Sequence, residues 1–103
     1  MPAPRLVKAV DETHEISRHR GNGKLRREIW VDANGKVARF NLAFINQEIH
    51  RGDNGRVLGY DSQHGVWHRH HLGEVSPVDA SSFEEIEAKF EAEVRVYLKG
   101  KRQ

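Results

Sequence analysis

The sequence predicts an α+β fold, a five-stranded antiparallel meander covered on one face by a C-terminal amphipathic helix. Three observations predict it. Glycine and asparagine, which supply the positive φ of tight reversals, cluster at Gly21-Asn22-Gly23, Asp32-Ala33-Asn34-Gly35 and Gly52-Asp53-Asn54-Gly55. Runs rich in β-branched and aromatic residues lie between and beyond those clusters. The final third then changes from a period of two to the three- and four-residue spacing of a helix.

The strands are expected at Thr13–Arg20, Lys24–Val31, Lys36–Ile49, Arg56–Asp61 and Val66–Leu72. The third run is the most regular, with Phe40, Leu42 and Phe44 on one face and Arg39, Asn41, Ala43 and Ile45 on the other. The first face reads as core. Pro77 breaks regular structure after the fifth run, and Ser82 with Glu85 three residues later forms a capping box that starts the helix. Phe83, Ile86, Phe90, Val94 and Tyr97 make one apolar stripe, and Gly100 suits the helix C-terminus. A sheet must cover its apolar face, so this stripe is expected across Phe40, Leu42 and Phe44. Residues 1–12 are weakly patterned and read as an arm, residues 13–99 as the single domain, and residues 100–103 as a tail.

A chain of 103 residues has room for one core. Charged residues make up 31% and are dispersed in both signs, the pattern of a soluble globular surface. The net charge of +2 and the pI near 9.2 permit an acidic partner without requiring one. With no cysteine, a disulfide scaffold, a thiolate nucleophile and a thiolate zinc site are all excluded. No apolar segment follows Met1 and no apolar run is long enough to span a bilayer, so the expectation is a cytoplasmic protein without a membrane partner.

The chemistry concentrates between Tyr60 and Glu74, where His64, His68, His70 and His71, four of the seven histidines, stand beside Arg69 and Asp61. Imidazole titrates near neutrality and so serves as base or acid. On a strand His68 and His70 share one face, opposite Arg69 and His71. Two imidazoles at that spacing can converge on one phosphate, with Asp61 or His64 brought from the preceding turn. A metal requires at least three firm ligands and the spacing offers two, so no metal or other cofactor is expected. Trp30 and Trp67 are candidate stacking platforms, although an aromatic on a strand more often packs. Arg18, Arg20, Arg26, Arg27 and Arg39 fall on adjacent strands, where they can follow a phosphate backbone or pair with Glu15 and Glu28.

Leu42-Ala43-Phe44, Arg56-Val57-Leu58-Gly59-Tyr60-Asp61, Gly65, His68-Arg69-His70, and Phe83-Glu84-Glu85-Ile86 with Phe90 occur here in that order. In this the chain resembles the TumE family, toxin components of bacterial type II toxin–antitoxin pairs, over roughly residues 14 to 98. The segment with His64 and Trp67 departs from the family pattern, as do His71 and Leu72. The resemblance implies a small cytoplasmic toxin held by a helix-turn-helix antitoxin and directed at RNA or the translation apparatus.

If the chain is an enzyme, the expected activity is metal-independent RNA cleavage. His68 and His70 would act as base and acid, Arg69 would stabilise the phosphorane and Asp61 would orient an imidazole. Arg39, Arg56, Tyr60 and Trp67 are the expected RNA contacts. Two other readings stay open, a non-enzymatic interaction module using a sheet edge and a divalent-metal hydrolase. The oligomeric state is open as well, with a homodimer among the options.

Overall fold

The structure, a computed structural model, describes residues 5–63 and 65–99. It is an antiparallel meander of six strands in sequence order, followed by one helix. The strands are β1 (Val7–Glu15), β2 (Lys24–Val31), β3 (Val37–Ile45), β4 (Arg56–Gln63), β5 (Val66–His71) and β6 (Glu74–Pro77), and the helix is α1 (Phe83–Lys99). The α+β class, the meander and the C-terminal helix agree with the sequence expectation; the number of strands and several boundaries do not.

The turn chemistry placed the first three reversals correctly. Gly35 at φ 81° closes β2 onto β3, and Asp53, Asn54 and Gly55 all have positive φ in the connection before β4. The expected sheet lacked β6, which follows β5 through the two-residue turn Leu72-Gly73, both at positive φ. Leucine is an unusual residue for that conformation, so the turn carries no sequence signal. Pro77 also does not end the sheet before it: β6 is an edge strand, where a missing N–H costs no ladder bond, and Pro77 stands opposite His68.

At the other edge, the expected arm is in part a strand. Residues 7 to 12 belong to β1, which ends at Glu15, and a short 3-10 turn at Arg18–Arg20 replaces the expected end of that first run. The expected third run likewise ends at Ile45 rather than Ile49. His64, Gly100 and the tail from 100 to 103 lie outside the described residues.

The core is the face carrying Ile29, Phe40, Leu42, Phe44, Leu58 and Tyr60, closed by Ile86, Phe90 and Val94 of α1. The helix lies over β3 and β4, as its stripe predicts. Ser82 Oγ accepts the backbone N–H of Glu85 at 3.2 Å, satisfying one of the free donors of the first turn. The returning arm of this cap lands one residue earlier than the usual capping box, because the Glu85 carboxylate accepts from Ser81 N and Ser81 Oγ at 2.8 and 2.9 Å. Those hydrogen bonds, first the one from the Ser81 backbone, hold the Glu85 carboxyl below its ordinary range. Among the described residues no helix is long and apolar enough to cross a membrane.

Candidate active site

Side-chain alternation along β5 decides which residues can meet. Trp67, Arg69 and His71 point toward α1, so that Trp67 packs edge-on against Phe40 at 5.3 Å between ring centroids and His71 Nε2 lies 2.6 Å from the Tyr97 hydroxyl. Arg69 pairs with Glu93 of α1, its Nε at 3.1 Å from Oε2. His68 and His70 therefore point to the face that α1 leaves uncovered.

Register brings Asp61 to the same place, since it stands opposite His68 across β4 and β5. His70 Nε2 lies 2.9 Å from Asp61 Oδ2, and His68 Nδ1 lies 3.9 Å from Asp61 Oδ1. The two imidazole centroids are 6.5 Å apart. The convergence expected of His68, His70 and Asp61 is thus present.

Arg56 completes the cluster, and a β-bulge puts it there. Phe44 stands opposite Leu58 while Ile45 stands opposite Arg56, which leaves Val57 as an extra residue in β4. Strict alternation would have aimed Arg56 and Leu58 at the same face; the bulge turns Arg56 onto the uncovered one. Its side chain then crosses the sheet above Gly59, where a Cβ would come within 2.7 Å of Arg56 Cδ and 3.1 Å of the Leu42 carbonyl oxygen. Glycine at 59 is the space through which Arg56 reaches the histidines.

The guanidinium donates from Nη2 to His70 Nδ1 at 3.0 Å, and Nη1 lies 3.6 Å from Asp61 Oδ2. Asp53 holds its other end, accepting from Nε at 2.8 Å. A guanidinium only donates, so the accepting Nδ1 carries no proton and the neutral ring is protonated on Nε2, toward Asp61. The 2.9 Å approach of Nε2 to Asp61 is off the hydrogen-bond direction. Nε2 and Asp61 Oδ1 are both buried without a hydrogen-bond partner among the described residues. Buried polar atoms with unused capacity are costly unless a ligand or water satisfies them. His68 is the more open imidazole, with 26% of its side chain exposed against 12% for His70.

Three expected site residues lie off the uncovered face. Arg69 faces the helix, where Glu93 neutralises it, because odd positions of β5 have the opposite phase to the histidines. Tyr60 is 3% exposed, stacks edge-on with Phe90 and donates its hydroxyl to Glu93. Burial, and then the Glu93 hydrogen bond, push its pKa up to about 12. Trp67 is half-buried packing beneath the helix. None of these three lies on the uncovered face, whereas Arg39 and Arg56 do.

Sequence reasoning did not weigh Gly59 as the gap beneath Arg56, and the Gly59-Tyr60-Asp61 run carried no local sign of it. Among the described residues no three histidine, aspartate or glutamate side chains form a group arranged to hold a metal ion. No family model matches the chain, and neither the curated proteins nor the solved structures searched contain a match to it.

Proposed function

We propose that this chain is the toxin of a bacterial type II toxin–antitoxin pair and cleaves RNA in the cytoplasm until a helix-turn-helix antitoxin binds it. The observation that carries the enzymatic part is the packing of His70 between Arg56 and Asp61 with His68 alongside, on the face that α1 leaves uncovered. The toxin and antitoxin part rests on the resemblance of the Tyr60-Asp61 and His68-Arg69-His70 segments to the TumE family.

In this reading His68, beside Asp61, takes the proton from a ribose 2′-hydroxyl. The 2′-oxygen then attacks the adjacent phosphorus, the bond from phosphorus to the 5′-oxygen breaks, and His70 gives that oxygen a proton. The products are a 2′,3′-cyclic phosphate and a 5′-hydroxyl end. Arg56 takes the role first assigned to Arg69, donating to the phosphoryl oxygens as charge develops on them. When Arg56 turns to the phosphate it releases His70 Nδ1, which leaves that ring free to hold the second proton the acid requires.

The test is end analysis of RNA incubated with the purified chain in the presence of a chelator. Cyclic phosphate ends that are lost with His68→Ala or His70→Ala support the reading. Cleavage surviving the double substitution would end it, and growth arrest without RNA cleavage would favour a toxin that acts by binding.

A further inference from the structure

The uncovered face continues away from the histidines to a second cluster on β1, β2 and β3. Trp30 of β2 stands between Lys8 of β1 and Arg39 of β3, its direct partners in the two ladders. The Arg39 guanidinium lies over the Trp30 ring at 4.6 Å from its centroid, and Lys8 Nζ lies 5.0 Å from it. Both are within the range of cation–π attraction.

The backbone is distorted on both sides of Trp30. Lys8 stands opposite Trp30 but Val10 stands opposite Ile29, so Ala9 is an extra residue in β1. Arg39 stands opposite Trp30 but Val31 stands opposite Val37, so Ala38 is an extra residue in β3. Bulges re-aim side chains, and the one at Ala9 turns Lys8 onto the face of Trp30 while Val10 stays on the face of Ile29.

The charges on this part of the face are unequally matched. Asp11 and Glu28 are both paired with Lys8 and Arg26, whereas exposed Arg39 has no carboxylate partner among the described residues. What the face presents outward is therefore a flat, unneutralised guanidinium backed by an indole. Unpaired bases stack on such guanidinium planes, and a phosphate beside them is drawn to the spare charge.

We infer that Trp30 and Arg39 form a stacking subsite for an unpaired base of single-stranded RNA whose scissile phosphate lies at His68 and His70. This rests on the ribonuclease reading for the position of the phosphate. Trp30 is on β2 and His68 on β5, level with Glu28, so three interstrand steps and two residues along the strand separate them, about 16 Å at the usual spacings. The strand would cross β3 and β4 over Asn41 and Asp61, which stand opposite each other. A dinucleotide centred on the histidines does not reach the subsite; a hexanucleotide does. In a duplex the base faces are already stacked, so single strands are selected.

Binding of a fluorescein-labelled, 2′-O-methylated hexauridylate, which cannot undergo the cleavage reaction, tests the subsite apart from the chemistry. The wild type should bind it more tightly than the corresponding dinucleotide and than a duplex of equal length. Arg39→Ala and Trp30→Leu should each weaken hexamer binding about tenfold, the loss of one stacked base, and leave dinucleotide binding unchanged. Arg39→Lys keeps the charge without the plane, so it should match wild type on an abasic hexamer and fall short on hexauridylate. Hexamer binding unchanged in folded Arg39→Ala would overturn the subsite, as would equal binding of Arg39→Lys and wild type to hexauridylate, or equal affinity for hexamer and dinucleotide. A protein that binds through Arg39 and Trp30 but produces no cyclic phosphate ends keeps the subsite and loses the ribonuclease reading. One that cleaves through His68 and His70 but ignores both substitutions does the reverse.

Discussion

Arg56 donates a hydrogen bond to Nδ1 of His70 at 3.0 Å, across the gap left by Gly59. One contact therefore sets the tautomer of an imidazole and holds a cation beside it, in front of the Asp61 carboxylate. Arg69, its neighbour in sequence to both histidines, does neither, because it lies through the sheet from them.

His68→Ala and His70→Ala should separate activity from stability. Each should lower the cleavage rate by about 10²–10⁴, the usual contribution of a general acid or base, and abolish growth arrest on expression. His68 is partly exposed, so its removal should leave the melting temperature nearly unchanged. The rate should follow a bell-shaped pH profile belonging to the pair of histidines, and a single-limbed profile would remove one of them from the proton transfers.

The two arginines should behave in opposite ways. Arg56→Ala should suppress cleavage in a folded protein. Arg69→Ala should instead destabilise by about 1–3 kcal/mol, since it strips the charge-assisted hydrogen bonds from Glu93 beneath the sheet. Gly59→Ala should resemble Arg56→Ala in activity although no charged group is lost, because the added methyl displaces Arg56. Denaturant unfolding combined with RNA cleavage assays checks all three, and full activity in Gly59→Ala would contradict the placement of Arg56.

Stability should decline at both ends of the pH scale through one contact. Burial acts to raise the Glu93 pKa, but the hydrogen bonds from Arg69 and Tyr60 outweigh it and the net shift is downward. A carboxylate with a depressed native pKa stabilises above its unfolded pKa, and that stability is lost as pH falls through the native value. Tyr60 is the converse: its native pKa is raised from 10.0 to about 12, so its contribution is complete below 10 and disappears as pH rises toward 12. Denaturation midpoints measured across pH should show both losses, with Tyr60→Phe flattening the alkaline one and Glu93→Gln the acid one.

Phe90→Ala should cost on the order of 3–5 kcal/mol, a large part of the stability of a domain this size. Phe90 is 4% exposed and packs edge-on against Tyr60, at the centre of the contact between α1 and the sheet. A melting temperature unchanged by this substitution would place the helix elsewhere.

Much of the fold was legible locally. The Gly and Asn clusters located the reversals, the Phe40, Leu42, Phe44 alternation identified the core face, and the stripe through Ile86, Phe90 and Val94 identified its cover. These signals survive because each is written in the φ preference or side-chain period of neighbouring residues. The pairing of His68 with His70 was legible for the same reason. The β1 strand before Thr13 was missed because the bulge at Ala9 interrupts its alternation, and β6 was missed because Leu72 occupies a conformation its side chain does not advertise.

The sequence by itself determined the class of the fold, that the two histidines share a face, and the phase that sets Arg69 against them. Only the tertiary structure decided which cation joins them and how far the uncovered face extends. An extra residue in a strand reverses the facing of everything on one side of it, and whether it bulges depends on the register of the neighbouring strand. That register brought Arg56 over Gly59 to His70, and Lys8 and Arg39 to Trp30.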